Sequence, residues 1–452
     1  MKIIIAGAGR IGGTLAEVLS EEGHDITVID CDSETIAHVS GDMDVICLEG
    51  SATDPDVLRE AGAEEADLLI AATERDEVNM VCGIAAKKLG TGYVIARVRD
   101  PQYLGKTAFL QDAFGITFLV NPEYECAREI SRVLHFPGAA RVDTFSRGSI
   151  EIAEYRVPEN SPLKGIVLKD LGRVFGAKVL VGLAERDGEA IIPNGSFVIR
   201  ERDRLSLTGT SGELRKFFGR IGAYKKPVRS VMIVGGGRIS VYLARLLNES
   251  GIQVSVIEEN RKRCDTLCEL LPEARIICGD ASRSDVLLEE NIREKDAFAA
   301  LTGDDGNNIV TAIYARKQGV WKTVVQVNHE HFAEMLEYSD QDCLITPKEV
   351  VVQIITRFVR AIGNSADCSA MESLYKLADG KAEAIEFIVE PGLSFTGIRL
   401  RDLKLKPDIL IAAIIRENRS IMPDGTAEIL PGDHVVVVSK ADRIRDLNDI
   451  AL

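Results

Sequence analysis

Short runs rich in apolar residues alternate with amphipathic stretches through the first 135 residues of the chain. Such runs occupy positions 2–6 and the segments DITVID, DVICLEG, ADLLIAAT and GYVIARV, and each has the length of a buried strand. The stretch from about residue 11 to 22 has the spacing of a helix. Strands that alternate with helices predict a parallel sheet with helices on both faces.

A different pattern occupies residues 149–212 and returns at 382–440. Short alternating runs are separated there by the turn sequences Pro-Asn-Gly and Pro-Asp-Gly, which predicts small β-rich units. The apolar run ILIAAII at 409–415 is much shorter than the roughly 20 residues of a membrane-spanning helix, so we predict it as a buried strand.

The two patterns together form a unit that occurs twice. The segment GSATDPDVL resembles GDASRSDVL further along the chain, and SPLKGIVLKDL parallels LSFTGIRLRDL. We therefore interpret the chain as a tandem duplication of a Rossmann-like, doubly wound α/β domain followed by a small β-rich α+β subdomain. The predicted domains are 1–135, 140–222, 228–360 and 370–452, and the polar, basic segment 219–230 is the predicted linker between the halves.

The first copy contains a full G-x-G-x-x-G turn between a strand and a helix. Gly7 permits the tight turn, Gly9 lets a pyrophosphate approach the backbone, and Gly12 lets the helix pack close to the sheet. The helix N-terminus offers N–H groups and a partial positive charge to phosphates. Asp30 ends the next strand, where a carboxylate accepts hydrogen bonds from a ribose and repels a 2′-phosphate. This order predicts nucleotide binding, with NAD favoured over NADP.

The second copy keeps the turn with one replacement. Gly235, Gly236 and Gly237 keep the positions that approach phosphate, Ser240 stands where the first copy has Gly12, and Glu258 stands where it has Asp30. Serine is small enough for close packing, and glutamate is long enough to meet a ribose. Two interpretations stay open: a second nucleotide site, or a degenerate site retained for its shape.

Other candidate ligand contacts follow from the fold, because ligands of doubly wound sheets lie outside the carboxyl ends of the strands. Arg97 is the strongest of them, since an arginine directly after a buried strand needs an anion nearby; its counterpart is Gln326. Each of the others is explained nearly as well by a polar group satisfied within its loop. These others are Ser51, Thr73 and Glu74 in the first copy, and Asp280, Thr302 and Gly303 in the second.

Composition narrows the class of protein. Hydrophobic residues make up 46% and charged residues 27%, as in soluble globular proteins, and the formal charge of −16 disfavours nucleic acid and anionic lipid as partners. No apolar run is long enough to span a membrane, so we expect no direct membrane span. Nine cysteines without a Cys-x-x-Cys pair fit a reducing cytosol, and Cys264 with Cys268 lacks the further ligands of a metal site.

Catalytic groups are hard to find beside the glycine turns. A dehydrogenase needs a proton donor or acceptor at the nicotinamide. His329 and His331 lie in NHEHF, but the first copy has RDPQY there, so we interpret both histidines as solvated loop residues. Neither a nucleophile elbow nor a metal-ligand cluster is visible. The sequence therefore favours ligand binding without turnover over the alternative of an NAD-dependent oxidoreductase, and we expect the chain not to be an enzyme.

These motifs, in this order and in duplicate, resemble a known family. The glycine turn with its aspartate and the segments GSATDPDVLREAG, AATERDEVN and IARVRDPQY are similar to the RCK domain, the regulator of K⁺ conductance. Two complete copies, each followed by an RCK C-terminal subdomain, resemble the TrkA family, the peripheral subunits of bacterial Trk potassium uptake systems. The resemblance covers essentially the whole chain.

The resemblance implies a function. TrkA-like proteins bind NAD(H) and ATP or ADP in their α/β grooves, form a homo-tetrameric ring, and regulate a membrane-embedded K⁺-translocating subunit from the cytoplasmic face of the cell membrane. A regulator of another ion channel or transporter is the alternative. The ligand contacts carried over from the family are Gly7, Ala8, Gly9, Arg10, Ile11, Asp30, Thr73, Glu74 and Arg97 in the first groove, and Gly235, Gly236, Gly237, Arg238, Ile239, Glu258, Thr302 and Gly303 in the second.

Overall fold

The computed structural model confirms the predicted fold class: two parallel α/β domains, each followed by a five-stranded antiparallel unit. Among the residues it describes, no helix is both long and apolar enough to cross a membrane. The described residues are 1–104, 106–136, 139, 141–145, 148–223, 227–329, 332, 343–363, 371–378, 380–393, 395–417, 419–440, 444 and 447–451.

The first α/β domain is built on a six-stranded parallel sheet of order β3-β2-β1-β4-β5-β6. This order reverses direction between β1 and β4, and that point opens a crevice at the carboxyl ends of the strands. The strands are β1 (Lys2–Ala6), β2 (Asp25–Asp30), β3 (Ile46–Glu49), β4 (Leu68–Ala71), β5 (Tyr93–Arg97) and β6 (Phe118–Val120). The helices are α1 (Arg10–Glu21), α2 (Ser33–Asp42), α3 (Pro55–Glu60), α4 (Asp76–Leu89), α5 (Pro101–Leu104), α6 (Thr107–Phe114) and α7 (Pro122–His135).

The first β-rich subdomain follows with an antiparallel sheet of order β10-β9-β11-β8-β7 and two helices. Its last helix runs to Arg220, so the predicted linker 219–230 begins inside a helix, and the next strand begins at Ser230. The elements are β7 (Arg141–Phe145), β8 (Ile150–Arg156), α8 (Leu168–Phe175), β9 (Leu180–Arg186), β10 (Glu189–Ile191), β11 (Arg204–Gly209) and α9 (Ser211–Arg220).

The second half repeats this architecture, with a parallel sheet of order β14-β13-β12-β15-β16-β17. The strands are β12 (Ser230–Val234), β13 (Gln253–Glu258), β14 (Arg275–Cys278), β15 (Ala297–Ala300), β16 (Lys322–Gln326) and β17 (Leu344–Ile345). The helices are α10 (Arg238–Glu249), α11 (Arg261–Leu270), α12 (Ser284–Glu289), the 3₁₀ helix Ile292–Glu294, α13 (Asp305–Lys317) and α14 (Pro347–Gly363).

The second β-rich subdomain has the order β18-β19-β22-β20-β21 and ends in a 3₁₀ helix, Leu447–Ile450. The predicted buried strand ILIAAII lies within β20. The strands are β18 (Met371–Leu377), β19 (Ala382–Ile388), β20 (Ile409–Arg416), β21 (Arg419–Ile421) and β22 (His434–Ser439).

The two halves exchange their last α/β helices. Asn121 caps α7 through the N–H of Tyr124, and Pro122 occupies its first turn, so the helix begins directly after β6. Its apolar face then packs into the core of the second sheet rather than the first. Helix α14 makes the reciprocal crossing and packs into the core of the first sheet, where Phe358 stacks on Phe118 with ring centroids 5.4 Å apart. Each parallel sheet therefore completes its core with a helix from the other half.

Polar contacts fix both crossings. Tyr124 on α7 meets Tyr242 on α10 edge to face, and the Tyr242 hydroxyl donates to the carbonyl of Arg99 in the first half at 3.1 Å. On α14, Arg360 donates to Glu22 of the first α/β domain and, at 2.7 Å, to Glu383 of the second β-rich subdomain. Both carboxylates and the guanidinium are largely buried. One side chain thus joins three structural units.

The two β-rich subdomains also share a core. Phe145 packs against Tyr375 with ring centroids 4.7 Å apart, within a cluster drawn from both subdomains. The Tyr375 hydroxyl donates to the carbonyl of Thr144 at 2.8 Å, and Ser420 donates to the carbonyl of Ser149 at 3.0 Å. The halves are therefore joined along their whole length.

Candidate functional site

The glycine turn and the end of β4 meet in the crevice of the first sheet. Gly7 has φ +102°, and a Cβ placed there would lie 2.9 Å from the backbone nitrogen of Thr73. Only glycine fits both the conformation and this close approach. Gly235 has φ +95° and faces Leu301 and Thr302 in a similar way, so both turns place a glycine with positive φ against the end of the neighbouring strand.

The second glycine of each motif leaves open space at a helix N-terminus. A Cβ on Gly9 would have no neighbour within 4 Å, and Gly9 is the N-cap of α1 without any side-chain cap. Gly237 caps α10 in the same manner. An uncapped helix N-terminus beside clear space is suited to a phosphate, because its first N–H groups lack helical acceptors.

The acidic residues hold the turns as well as facing the groove. Asp30 accepts a hydrogen bond from the N–H of Ala8 at 2.6 Å. Glu258 accepts one from the N–H of Gly236 at 2.7 Å. A Cβ on Gly236 would come within 2.8 Å of the Glu258 carboxylate. The second turn therefore has glycine where the first has Ala8, and this leaves room for an acid longer than Asp30. Ribose binding by these acids stays a prediction, and bracing of the turn is a second role that the sequence argument missed.

The residues at the third position of the motif, Gly12 and Ser240, show that the two turns lie at different distances from their helices. A Cβ on Gly12 would lie 1.7 Å from the carbonyl oxygen of Gly7, so the first turn excludes any side chain there. Ser240 occupies the corresponding position fully buried, and its hydroxyl lacks a hydrogen-bond partner among the described residues. The second turn therefore stands farther from its helix than the first.

A buried asparagine ties two strand ends together in each groove. The Asn79 amide accepts from the N–H of Thr73 at 2.9 Å and donates to the carbonyl of Arg97 at 2.9 Å. Asn308 makes the same pair of bonds, at 3.0 Å each, with Thr302 and Gln326. Both asparagines are fully buried. The two asparagines therefore position Thr73, Arg97, Thr302 and Gln326 at the strand ends. Their occurrence at matching places in both copies did not by itself predict this role.

Two arginines lie together beside the first groove. Arg97 points to the carbonyl of Thr73, with Nη1 at 3.4 Å, and Arg99 lies 3.9 Å from the Glu123 carboxylate on α7. The Nε atoms of both arginines are buried and donate no hydrogen bond to a described residue, although the Asp76 carboxylate lies 4.0 Å from Arg99 Nε. Burial, followed by the like charge of Arg99, lowers the pKa of Arg97. Two half-buried guanidinium groups with unused donors make this end of the groove a fitting place for a phosphate.

The second groove has no arginine at the same two positions. Gln326 and Asn328 replace the two arginines and bond to each other at 3.2 Å. His329, which we interpreted as a solvated loop residue, is half exposed but also contacts the buried carboxylate of Asp305 at 2.7 Å. Arg263 on α11 brings a cation to this groove, where it donates to the carbonyl of Gly236 at 2.7 Å. The sequence argument did not identify Arg99, Glu123 or Arg263.

The remaining predicted contacts lie around these two sites. Ser51 is exposed directly after Gly50, whose N–H donates to the carbonyl of Asp30, and Asp280 holds the matching place beyond Glu258. Exposed positions at the groove mouths are occupied by Arg10, Glu74, Arg238 and Gly303, while Ile11 is half-buried and Ile239 is buried. His331 lies outside the described residues. Within the described part of the chain, no group of three or more potential metal ligands is present.

Sequence comparison matches the duplicated units to two domain families. Residues 3–122 and 231–347 match the TrkA-N domain, and residues 152–222 and 384–452 match the TrkA-C domain. The chain is 32% identical over 451 residues to a Trk system potassium uptake protein TrkA homolog of Archaeoglobus fulgidus, covering 100% of both chains. It is 34% identical over 444 residues to Trk system potassium uptake protein TrkA of Vibrio alginolyticus, covering 97% of this chain and 95% of the relative.

Solved structures share the fold at low identity. The GsuK channel superposes with a TM-score of 0.65 at 20% identity, over 97% of this chain and 76% of that chain. A structure of the GsuK channel bound to NAD superposes with a TM-score of 0.63 at 20% identity and the same coverage. At such identities the likeness concerns the fold alone.

Proposed function

The chain belongs to the TrkA family, and on this premise we propose that it is the nucleotide-binding regulatory subunit of a Trk-type potassium uptake system. In this role it gates a membrane-embedded K⁺-translocating subunit in response to NAD(H) and adenine nucleotides. Membership of this family places the chain among transport proteins rather than oxidoreductases.

The paired grooves carry this proposal. Each combines a glycine turn, an uncapped helix N-terminus and a carboxylate at the end of the next strand. That combination suits an adenosine ribose linked to a pyrophosphate. NAD bound to the structurally similar GsuK channel is consistent with this assignment.

The charges of the grooves distinguish their ligands. In the first groove, the phosphates of ATP, ADP or NAD(H) would extend from α1 toward Arg97 and Arg99, whose Nε donors make no hydrogen bond among the described residues. In the second groove, Gln326 and Asn328 offer no positive charge at that point. We propose that the first groove favours the ligand with more phosphate charge and that the second tolerates a less charged one.

Assembly into a ring is supported by apolar residues on outer helix faces. Val81 on α4 is 47% exposed, and its counterpart Val310 on α13 is 65% exposed, with Ile313 beside it at 49%. Exposed apolar groups at matching places in both halves suit contacts between copies of the chain. A homo-tetramer would present eight grooves on the cytoplasmic side of the membrane, held there by its partner subunit.

Gating follows if the nucleotides bind two ring geometries with different affinity. A ligand shifts a conformational equilibrium only by its differential affinity for the two states, and a large shift needs several kcal/mol. Eight grooves acting on one ring reach that total from modest differences per groove.

Reconstitution tests the proposal. The chain is combined with the K⁺-translocating subunit that co-purifies with it, and K⁺ flux is measured with NADH, NAD⁺, ADP or ATP. We expect at least one nucleotide to change the flux, and an Arg97→Gln variant to respond less to ATP. Unchanged flux with every nucleotide would refute the gating function, and co-purification with a different channel would reassign the partner.

A further inference from the structure

Two cysteine thiols lie next to each other at the edge of the second groove. Cys278 ends β14 and pairs in register with Glu258, the acid that braces the second glycine turn. Cys264, on α11, donates its thiol to the carbonyl of the same Glu258 at 3.2 Å. Cys278 in turn points to the carbonyl of Glu259 at 3.9 Å. The two thiols therefore lie at consecutive carbonyl groups at the end of β13, and Cys278 is near enough to raise the pKa of Cys264.

The pair belongs to the second half alone. By register and helix position the first copy has Glu49 at the place of Cys278 and Ile36 at the place of Cys264. The two thiols also differ in exposure, since Cys278 is exposed whereas Cys264 is 4% exposed. An exposed thiol beside a buried one is the arrangement of an attacking and a resolving cysteine.

We propose that Cys264 and Cys278 are a redox-sensitive dithiol that closes to a disulfide and thereby regulates the second groove. The oxidant is a low-molecular-weight disulfide. The Cys278 thiolate attacks one of its sulfurs and releases one small thiol, which leaves a mixed disulfide on Cys278. The Cys264 thiolate then attacks the Cys278 sulfur, releases the second small thiol, and completes the protein disulfide. Two protein thiol protons pass to the two released thiolates.

Closing the disulfide changes the groove through Glu258. Oxidation removes the Cys264 proton that is donated to the Glu258 carbonyl, and it clamps α11 to the end of β14. The carbonyl also accepts from the N–H of Gly279 at 3.0 Å, so the clamp acts on both of its contacts. We expect the strand end to shift and nucleotide affinity at the second groove to fall about five-fold, the equivalent of one hydrogen bond. This consequence rests on the proposed nucleotide binding, whereas disulfide formation does not.

The rate of closure has a predictable pH dependence. Burial, with a further contribution from Cys278, raises the pKa of Cys264 to about 11. Glu258 on β13, Cys278 on β14 and Arg261 on α11 are the charged or titratable groups that act on it. Because only the thiolate attacks, the resolving step should accelerate roughly ten-fold per pH unit between about pH 7 and 9.

Oxidation of the full-length protein with glutathione disulfide tests the dithiol. We expect the wild-type protein to lose the mass of two hydrogens and peptide mapping to join Cys264 to Cys278. Cys264→Ser should accumulate one glutathione on Cys278, while Cys268→Ser, which removes the exposed cysteine one turn away, should close normally. A persistent mixed disulfide in the wild-type protein, or a bond from Cys264 to Cys268, would overturn the proposal.

Hydrogen exchange then resolves the two grooves in the same chain. Nucleotide protection of the peptide containing Gly235–Gly237 should weaken on oxidation and recover on reduction, while the Gly7–Gly9 peptide stays unchanged. Equal protection in both redox states would overturn the regulatory role. If nucleotide protects neither turn although the disulfide forms, the proposed function fails and the dithiol stands.

Discussion

The two grooves share the contacts that brace their backbone and differ in charge. In both, a buried asparagine joins two strand ends and an acid braces the glycine turn. Where β5 ends in the paired arginines Arg97 and Arg99, β16 is followed by the neutral Gln326 and Asn328. The two copies therefore keep the parts that hold the turn and differ at the positions that we propose meet the phosphates. On that proposal, two copies of one fold bind ligands of different charge.

The two crossing helices differ as well. Arg360 on α14 contacts Glu22 and Glu383 in two other structural units. At the corresponding place on α7, His135 contacts the carbonyl of Ser131 on its own helix and forms no ion pair with another described residue. The second crossing is thus held by a buried ionic network, and the first by packing and the Tyr242 hydroxyl.

Removing this network should have the largest effect on stability. Arg360→Ala leaves two largely buried carboxylates without their cation, and we expect the free energy of unfolding to fall by about 3–5 kcal/mol. Urea denaturation measures the loss. Arg128→Ala is the matched control on α7, since its ion pair with Glu125 is exposed and should contribute under about 1 kcal/mol. Equal effects of the two substitutions would contradict the asymmetry of the crossings.

The second-largest effect should come from replacing the two arginines of the first groove with the neutral residues of the second, which should weaken ligand binding. In Arg97→Gln/Arg99→Asn, two charge-assisted contacts to phosphate are lost, so ATP binding should weaken by about 2–4 kcal/mol. Calorimetry at two salt concentrations measures this loss, and the wild-type advantage should shrink as salt rises. Gln326→Ala is the control in the other groove. An ATP affinity that survives the double substitution would place the phosphates elsewhere.

Exchanging the third residue of the glycine motif between the copies tests whether the two turns lie at different distances from their helices. Gly12→Ser places a Cβ where the Gly7 carbonyl lies, and we expect a loss of about 1–3 kcal/mol in unfolding free energy. The reverse change, Ser240→Gly, removes a buried hydroxyl that has no partner among the described residues, and its cost should be under about 1 kcal/mol. Thermal denaturation compares both. Similar losses would mean that the turns are interchangeable.

Changing the turn residue Gly236, which lies against the Glu258 carboxylate, should have the smallest effect on the free energy of unfolding. Gly236→Ala should cost about 1 kcal/mol, because the new methyl group meets Leu267 and the Glu258 carboxylate. Adding Glu258→Asp shortens the acid, as in the first copy, and should restore part of that loss. A double-mutant cycle measures the coupling between the two positions. Strict additivity would show that the acid and the turn residue vary independently.

Sequence reasoning recovered what is local or repeated. The predicted strands at 2–6 and DITVID agree with β1 and β2, and the helix predicted from residue 11 begins at Arg10. The glycine turns could be recognised because their conformation demands glycine. The exchange of α7 and α14 could not be recognised, because an apolar helix face has the same pattern whichever core it enters. The linker was placed too early for a related reason, since its polar residues also suit the exposed end of α9.

Parts of the site escaped the sequence because they depend on distant partners. Glu123 reaches the arginines because β6, which α7 follows, lies beside β5 in the sheet, and Arg263 reaches the turn from a helix beyond the next strand. Asn79 and Asn308 recur visibly, but recurrence alone does not separate a groove residue from a buried brace. The bracing role of Asp30 requires knowledge of the closed turn itself.

The crossing of α7 and α14 determines when during translation the core of the first sheet can form, and it makes each module depend on the other. The first sheet is complete at Val120, yet α14, which completes the core on one of its faces, begins at Pro347. That part of the sheet therefore stays uncovered while most of the second α/β domain is translated. Such late, non-local contacts fold slowly and expose the chain to misassembly. A single module of this kind would need its covering helix from a second molecule. The duplicated chain makes this exchange within one polypeptide.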